Sequence, residues 1–330
     1  MSKPDAVAAI LWLTVTLYAV FAGADFGAGM WDLLAGRGER GNRARALIDR
    51  SIAPVWEANH VWLIFVLVIL WTAFPRAFYA VMTTLYIPLA LAALGIVLRG
   101  SGFAFRHAIH GPIREPATRV FGVSSVLTPF FMGTVVGAVA SGEVPAAGNG
   151  DPLSSWTGVL PLVTGVLFVV VGAYSAAAFL VRDADASGDG DLREYFTRRA
   201  LVLAVLAGAA AAAGLLALHS DARFVYDGLT GPGLPLVILS AVCGLAALGM
   251  LISGRTRGLR PAAVGAVVAV VWGFFVAQHP YMLPGQLTIS DAAGTGTTLT
   301  TVIVIFAAAV LLCLPSLGLL YVLSQRDVLE

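Results

Sequence analysis

Apolar residues run along this chain in stretches of about twenty, the length that crosses a bilayer as a helix, separated by short segments rich in Arg, Gly, Pro and Asp. The pattern predicts helical spans at roughly 6 to 25, 54 to 73, 78 to 98, 120 to 141, 157 to 181, 199 to 218, 234 to 253, 261 to 277 and 299 to 322. Nine is the expected count, with the eighth span the shortest. Small residues recur at four-residue spacing, as Gly23 with Gly27, Gly133 with Gly137, and the stretch from Ala204 to Gly214. That spacing lets helix backbones approach closely and predicts a bundle. Residues 1–330 therefore read as one all-α polytopic transmembrane domain.

The basic residues test this division. Arg37, Arg40, Arg43, Arg45 and Arg50 follow the first span, and Arg99, Arg106, Arg114 and Arg119 follow the third. Arg182, Arg193, Arg198 and Arg199 follow the fifth, Arg255, Arg257 and Arg260 the seventh, and Arg326 the ninth. Lys3, Arg76 and Arg223 alone fall on the other side. Since cytoplasmic loops are enriched in Lys and Arg, the N-terminus is expected outside and the C-terminus in the cytoplasm. Composition agrees: 58% of the 330 residues are hydrophobic and 12% charged, against about 25% charged in a soluble domain. A mean hydropathy of +0.87 excludes a soluble protein. A net charge of +1 without a clustered basic face gives no sign of a nucleic-acid partner.

Little chemistry resides between the spans. Asp183, Asp185, Asp189 and Asp191, around two glycines, loosely resemble a calcium loop, but the closing glutamate is missing and a solvated, flexible connection is expected. The stretches from Gly142 to Trp156 and from His279 to Thr298 read as irregular outer turns. Cys243 and Cys313 lie in apolar runs without metal-site spacing, and read as packing residues. Ala22-Gly23-Ala24 resembles a small-residue cleavage site, yet the preceding stretch is long enough to span and is read as a retained first helix. The tryptophans lie mostly near span ends, where interfacial anchoring is the ordinary role.

A charged side chain within a span costs about 2.5–3.5 kcal/mol on insertion scales, so Asp25, Glu57, His60 and Arg99 are the candidate functional residues. Counting along the predicted spans puts all four in one leaflet, with Asp25 near the cytoplasmic end of the first helix. Glu57 and His60, three residues apart, share a helix face, with Asn59 adjacent. Two readings stand. In one, the carboxylates and the imidazole take up and pass protons from the cytoplasm. In the other, Arg99 neutralises Asp25 or Glu57 in a structural ion pair and His60 bonds locally. His107, His110, His219 and His279 fall in loops or at helix ends, which leaves His60 as the intramembrane imidazole. A chain with one such imidazole does not ligate haem between two histidines, and no metal site is expected.

Ordered blocks carry a family resemblance. Gly23-Ala24-Asp25-Phe26-Gly27-Ala28-Gly29, Pro54-Val55-Trp56-Glu57-Ala58-Asn59-His60-Val61-Trp62-Leu63, Phe74-Pro75 and Leu98-Arg99-Gly100 through Phe105-Arg106 resemble, in order, subunit II of the cytochrome bd quinol oxidases. The likeness continues through Thr128-Pro129-Phe130 and Pro280-Tyr281 to Asp291-Ala292-Ala293 and covers nearly the whole chain.

The resemblance implies two four-helix bundles with a peripheral helix, in a heterodimer with a haem-bearing subunit I in the bacterial plasma membrane. Subunit I of that family holds two haems b and the haem d where oxygen is reduced to water, and it oxidises quinol. Subunit II supports haem assembly and cytoplasmic proton supply, and in some members holds a quinone as a structural lipid. A small single-helix accessory subunit is a further partner the resemblance allows. It carries the proton role onto Asp25 and Glu57, with His60 beside them, and a structural or haem-supporting charge onto Arg99. Two departures stand out: Glu57-Ala58-Asn59-His60 replaces the commoner Asp-Gly-Asn-Glu, and Ala104 stands where an acid is usual. Histidine at 60 keeps a titratable group but reverses the sign of its charged form. The rival from another class is a proton-coupled secondary transporter acting alone, but its site belongs near the midplane rather than in one leaflet.

Overall fold

The computed structural model describes residues 2–36, 38–108 and 114–325, with side chains described except at 52–58, 106–108, 114 and 313–325. Trp56, Glu57, His107, His110 and Cys313 thus have their side chains outside the described set. The helices are α1 (Lys3–Leu34), α2 (Glu39–Ala73), α3 (Pro75–Thr84), α4 (Tyr86–Ala108), α5 (Arg114–Ala140), α6 (Ser154–Thr157), α7 (Val159–Ala186), α8 (Gly190–Asp221), α9 (Arg223–Thr230), α10 (Leu234–Ile252) and α11 (Leu259–Gln278). A two-stranded antiparallel hairpin, β1 (Tyr281–Leu283) and β2 (Leu287–Thr288), precedes α12 (Ile289–Ala292) and α13 (Gly296–Gln325).

Among the described residues seven helices are long and apolar enough to cross a membrane, or eight if the bent pair α2–α3 counts as one span; α13 adds a shorter apolar stretch, Gly296–Leu312. The expectation of nine is not reproduced as a count of full spans. The span expected at 78 to 98 is corrected. Pro75 starts α3, and between Asn59–Ala73 and Pro75–Thr84 the axis turns by 115°. A proline ring forbids the hydrogen bond that would continue α2. At the bend the Ala73 carbonyl accepts from Gly294 N (2.8 Å), and Arg76 Nη1 donates to the Asp291 carbonyl (3.0 Å), so the α12 segment holds the bend. The crossing helix is then α4.

Helix α1 is the hub, packing on α2, α5, α7, α11 and α13. Helices α1, α2, α4 and α5 form one group; α7, α8, α10 and α11 form the other, joined through α1–α7 and α5–α7. Trp31 and Trp12 serve that packing rather than a lipid interface: the Trp31 indole donates to the Ala173 carbonyl and that of Trp12 to Val271, each at 2.8 Å. An indole N–H turned inward finds its acceptor in a neighbouring helix. Trp71, 64% exposed near the end of α2, fits the anchoring role. Cys243 is half-buried and reduced.

Three of the loops predicted on the arginine-rich side lie together. Arg43 bonds Asp189 (2.8 Å) and Asp191 (2.6 Å), joining the start of α2 to the α7–α8 turn. Asp183 accepts from Ser51 (2.8 Å) and pairs with Arg260, while Asp185 accepts from Thr256 (2.5 Å) and pairs with Arg193 (3.3 Å). The expected flexible connection after α7 is therefore a tight turn. Gly188 takes a positive φ (72°), Asp189 caps α8 by accepting from Leu192 N (3.0 Å), and the aspartates are matched by arginines. Arg43→Gln is expected to cost about 1 kcal/mol or less, because the pairs are solvent-exposed, and the loss should shrink in high salt. Thermal denaturation of the solubilised protein reads this out; a larger, salt-independent loss would contradict it.

At the opposite end Lys3 Nζ meets Thr300 Oγ1 (3.0 Å), and His279 Nε2 lies 3.6 Å from Asp5 Oδ1. The stretch after α5 is irregular as expected. Asp151 there accepts from Leu153 N (2.9 Å) and Ser154 N (2.7 Å), bonds that hold its carboxyl below the usual range.

Candidate functional site

The site forms where α1, α4 and α5 meet. Asp25 is 5% exposed and Arg99 1%, so both charges are withdrawn from solvent. Taking such ions out of water costs several kcal/mol each, which only close pairing and full hydrogen bonding offset. Both conditions are met. Arg99 Nη2 donates to Asp25 Oδ1 (2.6 Å) and Nη1 to Oδ2 (3.0 Å), a two-pronged contact; Nη2 also donates to the Asp25 carbonyl (3.1 Å). Arg99 Nε donates to Ser125 Oγ (2.9 Å), which in turn donates to the Phe121 carbonyl (2.6 Å). Aromatic faces close the remaining sides, with the guanidinium carbon 4.9 Å from the Phe26 ring centre and 4.8 Å from that of Phe121. Such contacts add about 2 kcal/mol when desolvated.

Local sequence makes this approach feasible. Phe121 and Ser125 lie one turn apart on one face of α5. Gly29, one turn beyond Asp25, has no side chain because any Cβ there would overlap Ser125 Oγ; at Gly27 it would overlap the Gly172 carbonyl of α7. Glycine is the residue that lets α1 press against both neighbours.

Of the four sequence candidates, the structure joins Asp25 and Arg99. The depth expected for Asp25 changes: α1 continues to Leu34, so Asp25 lies about 14 Å along the axis from that end rather than at it. His60 is half-buried on α2, and the hydrogen bonds to the Asp25–Arg99 pair do not come from it. Glu57 belongs to α2, with its side chain outside the described residues. Asn59 is 1% exposed; its amide donates weakly to the Phe21 carbonyl (3.4 Å), and its Oδ1 meets no donor among the described residues. Sequence reasoning missed Phe26, Phe121 and Ser125. Ser125, a hydroxyl in mid-span, was the available signal.

Three other buried hydroxyls are self-contained, since Ser124, Thr128 and Thr14 each donate to a carbonyl three or four residues earlier in their own helix. Among the described residues no three His, Cys, Asp or Glu side chains converge as a metal site. His219 Nε2 contacts Arg223 Nη1 (2.6 Å) and His279 faces Asp5, so neither is presented to a haem. What the arrangement supplies is a rigid, internally neutral charge pair beside a helix carrying an open amide oxygen and an imidazole.

Comparison with known proteins gives one consistent answer. The profile of the family described as "Cytochrome bd terminal oxidase subunit II" matches residues 4–324. The chain is similar to the cytochrome bd ubiquinol oxidase subunit 2 of Bacillus subtilis, 25% identical over 286 residues covering 84% of this chain and 82% of the relative. It also resembles the cytochrome bd-I ubiquinol oxidase subunit 2 of Escherichia coli K12, 34% identical over 104 residues, 30% of this chain and 27% of the relative. Among solved structures, the bd oxidase from Geobacillus thermodenitrificans has a chain that superposes with a TM-score of 0.78 at 26% identity, covering 97% of this chain and 98% of that one.

Proposed function

Because the chain belongs to the cytochrome bd terminal oxidase subunit II family, we propose that it supports a haem-bearing subunit I in oxidising quinol and reducing oxygen to water, with protons drawn from the cytoplasm partly through this subunit. The arginine-rich end is the cytoplasmic one in this reading, by the positive-inside rule. Haems b and d, held by the partner, supply the electron transfer and oxygen chemistry. A quinone bound as a structural lipid and a single-helix accessory subunit are carried over as parts of the same proposal.

The observation that supports a proton role here is the buried Asp25–Arg99 pair with Asn59 and His60 on the neighbouring helix. With both carboxylate oxygens held by Arg99, Asp25 lines the path as half of a neutral, hydrogen-bonded pair. Glu57 and His60 are the groups that take up and release the proton, and Arg99 holds Asp25 in place.

Two measurements test this. Reduced-minus-oxidised spectra of the purified complex are expected to show co-purifying b and d haems; their absence would remove the assembly role. Glu57→Gln is expected to slow oxygen consumption by about a hundredfold or more, the range of general acid–base groups, while haem content and assembly stay unchanged. Turnover equal to that of the unmodified complex across pH would take Glu57 out of the mechanism.

A further inference from the structure

At the arginine-rich end, two guanidiniums share one aromatic ring. The Arg199 guanidinium carbon lies 3.4 Å from the Tyr195 ring centre and that of Arg40 lies 5.1 Å from the same centre. Tyr195 is buried and its hydroxyl donates to the Leu34 carbonyl (3.4 Å), so the ring is fixed between the end of α1, the start of α2 and α8. Arg199 is further held by Nη1 donating to the Tyr195 carbonyl (3.2 Å) and by the Trp31 ring at 5.7 Å.

Two like charges at one ring call for an anion, and no carboxylate among the described residues pairs with either. Asp189 and Asp191 pair with Arg43, Glu194 with Arg198, and Asp32 lies opposite Arg45 at 3.8 Å, while Glu39, next to Arg40, is exposed. Helix α2 follows Gly38, which supplies no side-chain cap, so the positive end of a 35-residue helix, with Glu39 in its first turn, lies beside Arg40. Below the clamp, the same face of α8 turns apolar and outward: Val202 and Leu206, three and seven residues after Arg199, are 60% and 47% exposed.

We propose that Arg40 and Arg199 clamp the phosphate of an anionic phospholipid, whose acyl chain lies along Val202 and Leu206 of α8. A free phosphate would satisfy the guanidiniums but not account for the apolar track one turn deeper. The proposal is independent of the oxidase reading, because it concerns lipid retention and not turnover.

The test is native mass spectrometry of the purified complex, titrated in mixed micelles with phosphatidylglycerol or phosphatidylcholine. The unmodified complex is expected to retain phosphatidylglycerol preferentially. A basic residue near an anionic lipid surface contributes about 1 kcal/mol, or about fivefold in affinity, so Arg40→Gln/Arg199→Gln should weaken that binding by about twentyfold or more. Arg255→Gln/Arg257→Gln, an equal loss of charge on the exposed α10–α11 turn, should change it less than twofold. Equal losses in the two double variants would overturn the clamp, as would unchanged binding in the first. If inorganic phosphate displaces phosphatidylglycerol at matched concentration, a free-anion site replaces the lipid site. Should the first double variant not be recovered, Arg40→Gln alone, at an exposed position, is read instead: about fivefold weaker binding supports the clamp, and none overturns it.

Discussion

Arg99→Leu is expected to deplete the assembled complex from the membrane. The substitution leaves Asp25 buried without its counter-charge and withdraws the donor from Ser125 and the cation from between Phe26 and Phe121. Breaking one side of a buried ion pair costs about 3–5 kcal/mol, a large share of the roughly 5–15 kcal/mol by which proteins are stable. Arg99→Lys, a point charge in place of a planar fork, should fall between the two. The informative companion is Asp25→Leu/Arg99→Leu, which removes both charges and should recover most of the stability, as apolar replacements of buried pairs often do. Melting temperature and yield of the solubilised complex measure the first effect, and oxygen consumption per complex the second. If the double variant assembles but turns over slowly, the pair matters to proton supply; if it assembles with full turnover, the pair only holds the helices. Arg99→Leu as stable as the unmodified protein would refute the energetic argument.

The second large effect is expected at Gly27. A methyl group there overlaps the Gly172 carbonyl and the Ala173 nitrogen of α7, which are backbone atoms that cannot rotate away. Gly27→Ala should therefore push α1 from α7 and cost about 1–3 kcal/mol, as overpacking does. Gly23, one turn earlier, is the control: its Cβ would stand 3.9 Å from Gly172 Cα, an ordinary contact, so Gly23→Ala should be nearly silent. Gly208→Ala, in open space on α8, should also be silent. Comparable losses of melting temperature at Gly23 and Gly27 would show that something other than this contact limits stability.

Most of the architecture was legible because hydropathy and arginine placement act over whole spans. Three of the basic loops do lie together, since Arg43 with Asp189 and Arg260 with Asp183 tie them to one another. The bend at Pro75 was not legible as a bend. Phe74-Pro75 stood in the sequence as a motif, but an average over twenty residues does not register a change of axis within two. The small-residue rule was half informative. It marked Gly133 and Gly137, which pack on α7, yet gave equal weight to the α8 stretch, where Gly208 meets nothing within the chain. At the site, the sequence supplied both charges and their pairing as one of two readings. The rings and the hydroxyl around them come from positions such as Ser125, 26 residues from Arg99, whose convergence depends on helix packing and not on spacing.

The order of synthesis gives the Asp25–Arg99 pair a history. The two residues are 74 positions apart, and translation at about 5–20 residues per second separates them by roughly 4 to 15 s. For that interval the newborn first helix carries an aspartate whose guanidinium has not yet left the ribosome. It waits at the polar margin of the insertion machinery and is drawn to its final depth when the arginine arrives.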